Sequence, residues 1–304
     1  MPIHWMAEQP LTRRSFLAGA AAGLLGGCTP LYSRRRQPPP EEHGDTRWAF
    51  LADTHIHRSP DKTVRRCNMA RNLRSAVAHV LAAAPEHVLF NGDMAFARGK
   101  PEDYATFEQV IAPLREKPIS MHLTLGNHDH RQNFIASRRD RTCRLVNEKC
   151  ISSLTIGSFH WVFLDSLRRV HRLSGALGED QLLWLADRLD AAQDVPAIVC
   201  LHHNPEPTPF GLKDTSAFLD VVLPRRQIKA VIFGHTHAYR HWQVDGLHFV
   251  NLPAVGYWFS PSTPLGWISA GIGLRGITLE VYELVGTGRR ESIRHTTTAR
   301  LLLR

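Results

Sequence analysis

The chain of 304 residues has an ordinary globular composition, 43% hydrophobic and 21% charged, which suffices to bury the core of one large domain or two small ones. Its formal net charge of +9 comes from basic pairs scattered along the sequence rather than gathered in one stripe. We therefore expect a solvated basic surface and no specific nucleic-acid binding, while anionic substrates or anionic lipid stay compatible with the charge.

The first predicted element, residues 1–27, resembles an export signal of the twin-arginine kind. Arg13 and Arg14 precede an apolar run that is too short to span a bilayer as a helix. The run ends in LGGC at Cys28, which resembles a lipobox, although a small-residue cleavage site has a similar pattern. We predict export by the twin-arginine machinery to the periplasm or cell surface, with a lipid on Cys28 as membrane anchor. The alternative is a hydrophobic N-terminal helix after a chance arginine pair.

Residues 28–47 are charged and proline-rich without periodicity, which predicts a tether. From Trp48 onward short apolar strands alternate with helical patterns, and no internal repeat is visible. We therefore place one domain over residues 48–290 and a C-terminal tail over residues 291–304.

Helices are predicted over residues 63–84, where Pro85 ends the pattern, and over GEDQLLWLADRLDAA, where Leu182, Leu185 and Leu189 share one face. Near-continuous apolar strands between such helices are typical of a layered α/β fold. The fold class predicted is therefore α/β, with central β-sheets flanked by helices.

Polar clusters follow the apolar strands. WAFLA leads into DTH, HVLF into NGD, ISMHLTL into GNHD, AIVCL into HH, and AVIF into GHTH. In α/β folds ligands bind beyond the carboxyl ends of the strands, so we expect these clusters to line one crevice. Asp53 and His55 are two positions apart and would face the same side if the strand continued through them.

Candidate metal ligands are the carboxylate, amide and imidazole side chains of these clusters: Asp53, His55, Asp93, Asn127, His202, His235 and His237. A nitrogen and oxygen set without sulfur suits Zn, Fe or Mn. Seven ligands are too many for one ion that keeps an open position. They suit two ions that share a carboxylate, an arrangement used to cleave phosphate esters.

The motifs D-x-H, G-D, G-N-H-D, H and G-H-x-H, in this order from about Phe50 to His237, resemble the signatures of the calcineurin-like metallophosphoesterase family. The resemblance implies a dinuclear site in a layered fold, with a metal-bridging hydroxide as nucleophile. It assigns the first ion to Asp53, His55, Asp93 and His237, and the second to Asp93, Asn127, His202 and His235. It also implies that His128 hydrogen-bonds the phosphoryl group and helps to protonate the leaving oxygen, with Asp129 orienting the His128 ring.

Finer features, HNP after His202 and GALGEDQLLWLADRL, resemble bacterial class III cyclic-nucleotide phosphodiesterases and their glycerophosphodiesterase relatives. Asn204 departs from that pattern, where proline is frequent. Phe96 stands where purple acid phosphatases have a metal-ligating tyrosine, which argues against that branch. The function predicted is metal-dependent hydrolysis of a small phosphate ester, with a diester favoured. A phosphomonoesterase of the same fold and a non-catalytic, lipid-tethered binder of phosphate ligands are the alternatives.

Several other residues are expected to have structural roles or no direct role at the site. His203 competes with His202 for the ligand role, and His202 is favoured. His57 and His130 lie beside motifs and could touch substrate, although a surface role is favoured for both. His171 lies outside the motifs and is expected to be an ordinary surface or core residue. Asp165 is expected to be a structural acid at a strand end. Cys143 and Cys150 could pair in an oxidising compartment, which spacing alone does not show.

Overall fold

The computed structural model describes residues 45–137, 144–285 and 292–301. The predicted export signal, Cys28 and nearly all of the predicted tether lie outside these ranges. Within them, two large β-sheets pack face to face, and helices cover the outer face of each sheet. The predicted α/β architecture of central sheets flanked by helices is confirmed.

The strands and helices follow one another in a mixed order along the chain. The strands are β1 (Thr46–Leu51), β2 (Thr63–Val64), β3 (Cys67–Asn68), β4 (His87–Asn91), β5 (Ser120–Thr124), β6 (Arg144–Val146), β7 (Lys149–Ile156), β8 (Phe159–Phe163), β9 (Ala197–Cys200), β10 (Ile228–Phe233), β11 (Arg240–Val244), β12 (Leu247–Asn251), β13 (Gly266–Gly273), β14 (Gly276–Val285) and β15 (Ser292–Leu301). The helices are α1 (Met69–Ala83), α2 (Pro101–Arg115), α3 (Arg131–Ser137), α4 (Glu179–Asp190) and α5 (Thr215–Val222).

The two large sheets combine a parallel centre with antiparallel edges. The first sheet has the order β15-β14-β13-β1-β4-β5, in which β1, β4 and β5 are parallel. The second has the order β11-β12-β10-β9-β8-β7-β6, in which β8, β9, β10 and β12 are parallel. The carboxyl ends of the parallel strands therefore carry the polar clusters at one edge of each sheet.

Aromatic and aliphatic side chains fill the space between the sheets. Trp48 of the first sheet stacks on Trp161 of the second, with ring centroids 3.8 Å apart, and Phe50 and Phe163 extend the contact. Cys200 is fully buried in the same layer. Strands buried on both faces explain the near-continuous apolar runs in the sequence.

The helix predicted over residues 63–84 is shorter at its N-terminus. Residues 63–68 form the small β2–β3 ribbon, and α1 begins only at Met69. The Asn68 side chain accepts a hydrogen bond from the backbone N of Arg71 at 2.8 Å, which caps the helix and fixes its start. At the other end, Ala84 adopts a left-handed conformation with φ 47° immediately before Pro85.

The predicted C-terminal tail is wrong for the described part of residues 291–304. Strand β15 pairs with β14 at the edge of the first sheet, and Ala299 and Leu301 are buried between the sheets. The two residues are two positions apart and therefore point to the same face of β15. The burial of that face against the core holds the strand at the sheet edge. The folded domain therefore extends at least to Leu301 rather than ending at residue 290.

Two of the described cysteines, Cys67 and Cys200, are free. Cys150 is disulfide-bonded, and Cys143, its candidate partner, lies outside the described residues. Within the described ranges, no helix has the length and apolar character needed to cross a membrane.

Candidate metal centre

The loops that follow β1, β4, β5, β9 and β10 meet at one place. Backbone hydrogen bonds join the loops after β1 and β4 directly: Asp53 N donates to Gly92 O at 3.1 Å and His55 N to Asp93 O at 2.8 Å. Gly234 N likewise donates to His202 O at 3.0 Å. The predicted crevice at the strand ends is thus assembled from segments that are distant in sequence.

Five candidate ligands have left-handed backbone conformations that are uncommon for residues other than glycine. Their φ angles are Asp53 53°, His55 48°, Asp93 52°, His235 71° and His237 54°. The expectation that a continuing strand would place Asp53 and His55 on one side is wrong, because β1 ends at Leu51. The two side chains converge through left-handed turns instead. Such conformations cost about 1–3 kcal/mol each and are concentrated at functional sites.

One group of side chains consists of Asp53, His55 and His237. Asp53 Oδ1 lies 3.3 Å from His237 Nε2 and 3.8 Å from His55 Nε2. The two Nε2 atoms are 3.0 Å apart. All three side chains are buried and could present one ligand atom each to a common ion.

A second group consists of Asp93, His202 and His235. Asp93 Oδ2 lies 3.4 Å from His202 Nε2 and 3.7 Å from His55 Nε2 of the first group. Asp93 is therefore placed between the two groups, as expected for a carboxylate that two ions share.

The ring orientations of the candidate histidines are set by backbone carbonyls. His202 Nδ1 lies 2.9 Å from Asn91 O, and His237 Nδ1 lies 2.6 Å from Tyr257 O. A carbonyl oxygen can only accept, so Nδ1 carries the proton in both rings. Each Nε2 therefore faces the carboxylates and is the nitrogen available to bind a metal ion, which is the arrangement that metal-binding histidines need.

Buried polar atoms without hydrogen-bond partners test whether cations fit here. Among the described residues these include Asp53 Oδ1, His202 Nε2 and both side-chain polar atoms of Asn127. A buried polar atom left without a partner costs about 1–3 kcal/mol. Carboxylate and amide oxygens and imidazole nitrogens are suitable ligands for divalent cations. The residues present therefore fit a dinuclear centre.

The pKa values at the site favour ligand-competent forms for most of these side chains. Burial lowers the pKa of His55 to about 3 and that of His235 to about 4, so both rings are neutral at pH 7. Burial raises the pKa of Asp93, but His202 and His128 outweigh it and hold that pKa well below its usual value. Burial also lowers the pKa of His202, but Asp93 and Asp53 outweigh it and raise that pKa to about 9. A bound cation would have to displace the His202 proton.

Glycines in the motifs allow the ligands to pack this closely. A Cβ on Gly126 would lie 2.1 Å from Asp93 Oδ1, and a Cβ on Gly92 would lie 2.4 Å from His202 Nδ1. Gly92 also has φ 80°, which other residues rarely adopt. The glycines of G-D and G-N-H-D therefore leave room for the side chains beside them.

His128 lies at the edge of the cluster. Its ring meets that of His55 edge to face with centroids 4.8 Å apart, and its Nε2 is 4.0 Å from Asp93 Oδ2. The side chain is 16% exposed, so it faces both the cluster and the solvent. This is a suitable position for a group that contacts a bound ester.

Asp129 does not orient the His128 ring, contrary to the role implied by the family resemblance. Its carboxylate accepts hydrogen bonds from the backbone N atoms of Met94, Ala95 and Gly126. His128 Nδ1 has no hydrogen-bond partner among the described residues. The fully buried carboxylate instead joins the loop after β4 to the loop after β5. Burial, followed by the charge of Asp93, raises the pKa of Asp129 to about 7.

The structure distinguishes His202 from His203 as the candidate metal ligand and places the other candidates, Asp165 and His57. His202, rather than His203, faces the carboxylates, whereas His203 Nδ1 lies 2.8 Å from Ser166 Oγ. Asp165 accepts hydrogen bonds from Arg131 and the backbone, as expected for a structural acid. The His57 ring packs edge to face on Phe96.

Three residues with aromatic rings lie beside the cluster, although they were not assigned to the site from the sequence. Tyr257 packs against the rings of His55 and His237, with centroids 4.8 Å away in both cases. Phe259 stacks on His237 at 4.0 Å and is half exposed. His171, expected to be an ordinary surface or core residue, packs edge to face on His128 at 5.5 Å. No motif carries these residues, so only their positions in space reveal them.

Comparison with known proteins agrees with this geometry. Residues 46–239 match the family model of the calcineurin-like phosphoesterases. A probable cyclic nucleotide phosphodiesterase of Synechococcus is 29% identical over 231 residues, which cover 73% of this chain and 85% of that protein. The 3′,5′-cyclic adenosine monophosphate phosphodiesterase CpdA of Pseudomonas aeruginosa is 26% identical over 221 residues, covering 70% and 77%. A dimetal phosphatase from Danio rerio has a similar fold, with a TM-score of 0.66 and 15% identity over 85% of this chain and 99% of that one.

Proposed function

This chain belongs to the calcineurin-like phosphoesterase family and is a metal-dependent phosphoesterase, and from that premise we propose that it hydrolyses small phosphoric diesters. The observation that carries the proposal is the position of Asp93 between two groups of buried ligands. The relatives named as cyclic nucleotide phosphodiesterases favour a diester over a monoester, and cyclic nucleotides as the first substrates to test.

We assign the two divalent ions to the side chains that the cluster brings together. Asp53, His55 and His237 would hold one ion, and His202, His235 and Asn127 the other, with Asp93 shared. When bound, the ions neutralise the charge of the phosphoryl group and supply a nucleophile from water at neutral pH. The support for including Asn127 is its buried amide, which has no hydrogen-bond partner among the described residues.

His128 is assigned to the ester itself. Its ring lies between the ligand cluster and the solvent, where it can donate a hydrogen bond to a phosphoryl oxygen and give a proton to the departing alcohol. Proton transfer of this kind contributes about 10²–10⁴-fold to rate. The backbone N of His128 donates to Asp93 Oδ1 at 2.7 Å, which fixes the position of the ring relative to the shared carboxylate.

The test is turnover by the exported domain, residues 45–304, loaded with Mn²⁺. Bis(p-nitrophenyl) phosphate is compared with p-nitrophenyl phosphate, and then with cyclic nucleotides and glycerophosphodiesters. We expect metal-dependent hydrolysis with a higher kcat/KM for the diester. A preference for the monoester would establish a phosphomonoesterase, and stoichiometric phosphate binding without turnover would establish a binding protein.

The location of the protein is part of the proposal. The twin-arginine pair and the cysteine at position 28 support export and tethering by lipid on the far side of the membrane. A site built from distant segments exists only after folding, and the twin-arginine route carries folded proteins. The metals would then be loaded in the cytoplasm, where the cell controls which ion is available.

A further inference from the structure

A closed loop over residues 167–175 lies beside His128. Its two ends are joined by a hydrogen bond from Ala176 N to Ser166 O at 3.0 Å. Lys149 Nζ donates to the carbonyls of Asp165, Leu167 and Ala176, at 3.2, 2.8 and 2.7 Å. The base of the loop is therefore held rigidly from inside the protein.

The tip of the loop is attached to the candidate metal site. His171 N donates to Asn127 O at 2.6 Å, and the His171 ring packs edge to face on the His128 ring. His171 has φ 61°, a left-handed conformation that an unconstrained histidine seldom adopts. Such a conformation persists where the surroundings impose it, so the tip is held in place and is not a free surface loop.

The exposed part of the loop is strongly positive. Arg168, Arg169 and Arg172 are all exposed, and the segment from Ser166 to Gly178 contains no acidic residue. None of the three arginines has a carboxylate partner at ion-pair distance among the described residues, whereas Arg115, Arg131 and Arg225 do. A turn closed by Arg172 N and Arg169 O, 3.2 Å apart, keeps the cationic residues together.

We propose that this 167–175 loop is a binding subsite for a second anionic group of the substrate. The inference rests on the proposed phosphodiesterase function and specifies the substrate class further. The ligand cluster and His128 are assigned to the scissile ester, and the three arginines lie outside that cluster. Guanidinium groups bind phosphate oxygens in pairs of hydrogen bonds, so the preferred diester carries a further phosphate beyond the scissile group.

Two chromogenic substrates test whether the enzyme prefers a diester that carries a second phosphate. Thymidine 5′-(p-nitrophenyl phosphate) and its 3′-phosphate derivative contain the same scissile diester and release the same p-nitrophenolate, but the second has an extra phosphate. We expect the metal-loaded wild-type domain to show a kcat/KM about tenfold higher for the 3′-phosphate derivative at low ionic strength. The ratio should decline toward one as salt rises, because exposed charges are screened within about 10 Å at 0.1 M.

The matched variants are the triple substitution Arg168→Gln, Arg169→Gln and Arg172→Gln, and the control Arg188→Gln on the exposed side of α4. The triple variant should bring the ratio of kcat/KM values to about one, and the control should keep the wild-type ratio. A wild-type ratio of one would overturn the subsite. Equal losses on both substrates in the triple variant would also overturn it, because they would indicate general attraction of anions and no second binding position.

A binding measurement separates this inference from the proposed function. If neither substrate is hydrolysed, the phosphodiesterase proposal fails. Calorimetry then compares thymidine 3′,5′-bisphosphate with thymidine 5′-monophosphate. Tighter binding of the bisphosphate by the wild type, lost in the triple variant, would support the subsite without turnover. Equal affinities would overturn it.

Discussion

The hydroxyl of Tyr104 donates a hydrogen bond to Asp129 Oδ1 at 3.1 Å, and both side chains are buried beneath the candidate metal site. The same carboxylate accepts from backbone N atoms at the ends of β4 and β5, including Gly126 N at 2.9 Å. Tyr104 also accepts from His130 N at 2.9 Å. The pair therefore holds in register the two loops that carry Asp93 and His128.

Substituting Asp129→Asn should destabilise the protein. Every group around the Asp129 carboxylate is a donor, so the NH₂ of asparagine would face donors where an oxygen now accepts. We expect the free energy of unfolding of the metal-free domain to fall by about 2–3 kcal/mol, measured by urea denaturation. Asp187→Asn, at an exposed position of α4, is the matched control. Unchanged stability with lost turnover would instead support a direct role of Asp129 on the His128 ring.

His128→Ala should separate catalysis from binding. Because the ring is assigned to proton donation and not to an ion, turnover of bis(p-nitrophenyl) phosphate should fall by about 10²–10⁴-fold while the bound metal is retained. Metal content is measured by elemental analysis of the same preparation. His295→Ala, on the exposed face of β15, should leave both quantities unchanged. Wild-type turnover in His128→Ala would exclude this role.

Removing ligands should empty the two positions unequally. His237 belongs to one group, whereas Asp93 lies between both. His237→Ala should therefore retain close to one Mn²⁺ per chain after gel filtration, and Asp93→Asn should retain less than that. In the wild type, Mn²⁺ at 100 times its dissociation constant should stabilise the fold by about 2.7 kcal/mol for each site. Full occupancy in Asp93→Asn would contradict the shared carboxylate.

A partly buried histidine pair outside the candidate ligand set should make stability depend on pH. His241 Nε2 lies 2.9 Å from His248 Nδ1, and burial, together with His248, lowers the pKa of His241 to about 4 from an ordinary 6.5. The unfolded chain therefore binds a proton before the folded one does. The stability that neutral His241 contributes is present above pH 6.5 and is lost as pH falls toward 4.

His241→Gln removes that titration. Between pH 7 and about 4.5, the wild type should lose about 1–2 kcal/mol more unfolding free energy than His241→Gln does. Histidines outside this pair contribute equally to the unfolding free energy of both proteins. Their contributions therefore disappear when one profile is subtracted from the other. His295→Gln should follow the wild type. Parallel profiles for wild type and His241→Gln would show that His241 titrates normally in the folded state.

The proposed location rests on the N-terminal residues. Replacing Arg13 and Arg14 with lysines should leave full-length precursor in the cytoplasm, detected by fractionation and immunoblotting. Cys28→Ala should abolish incorporation of labelled fatty acid and release the protein from the membrane fraction. Normal export of the lysine variant would contradict the twin-arginine assignment, and lipid labelling of Cys28→Ala would contradict the anchor.

The sequence by itself predicted the layered fold and the order of the strand-end clusters. Both follow from local patterns, because strands buried on two faces must be apolar throughout and the polar residues that end them must be placed at the sheet edge. Spacing within a motif, as in G-H-x-H, is likewise local information. The α/β class, the phosphoesterase family and the need for two metal ions could therefore be recognised without coordinates.

Only the tertiary structure decided which side chains meet. Asp129 follows His128 directly in the chain yet packs against Tyr104 and the loop after β4, and His171 reaches His128 through one backbone hydrogen bond to Asn127. The left-handed turns at Asp53 and His55 and the pairing of β15 with β14 are also imposed from outside their own segments. Each depends on hydrogen bonds and burial supplied by residues far along the chain, and such contacts form only when the whole domain folds.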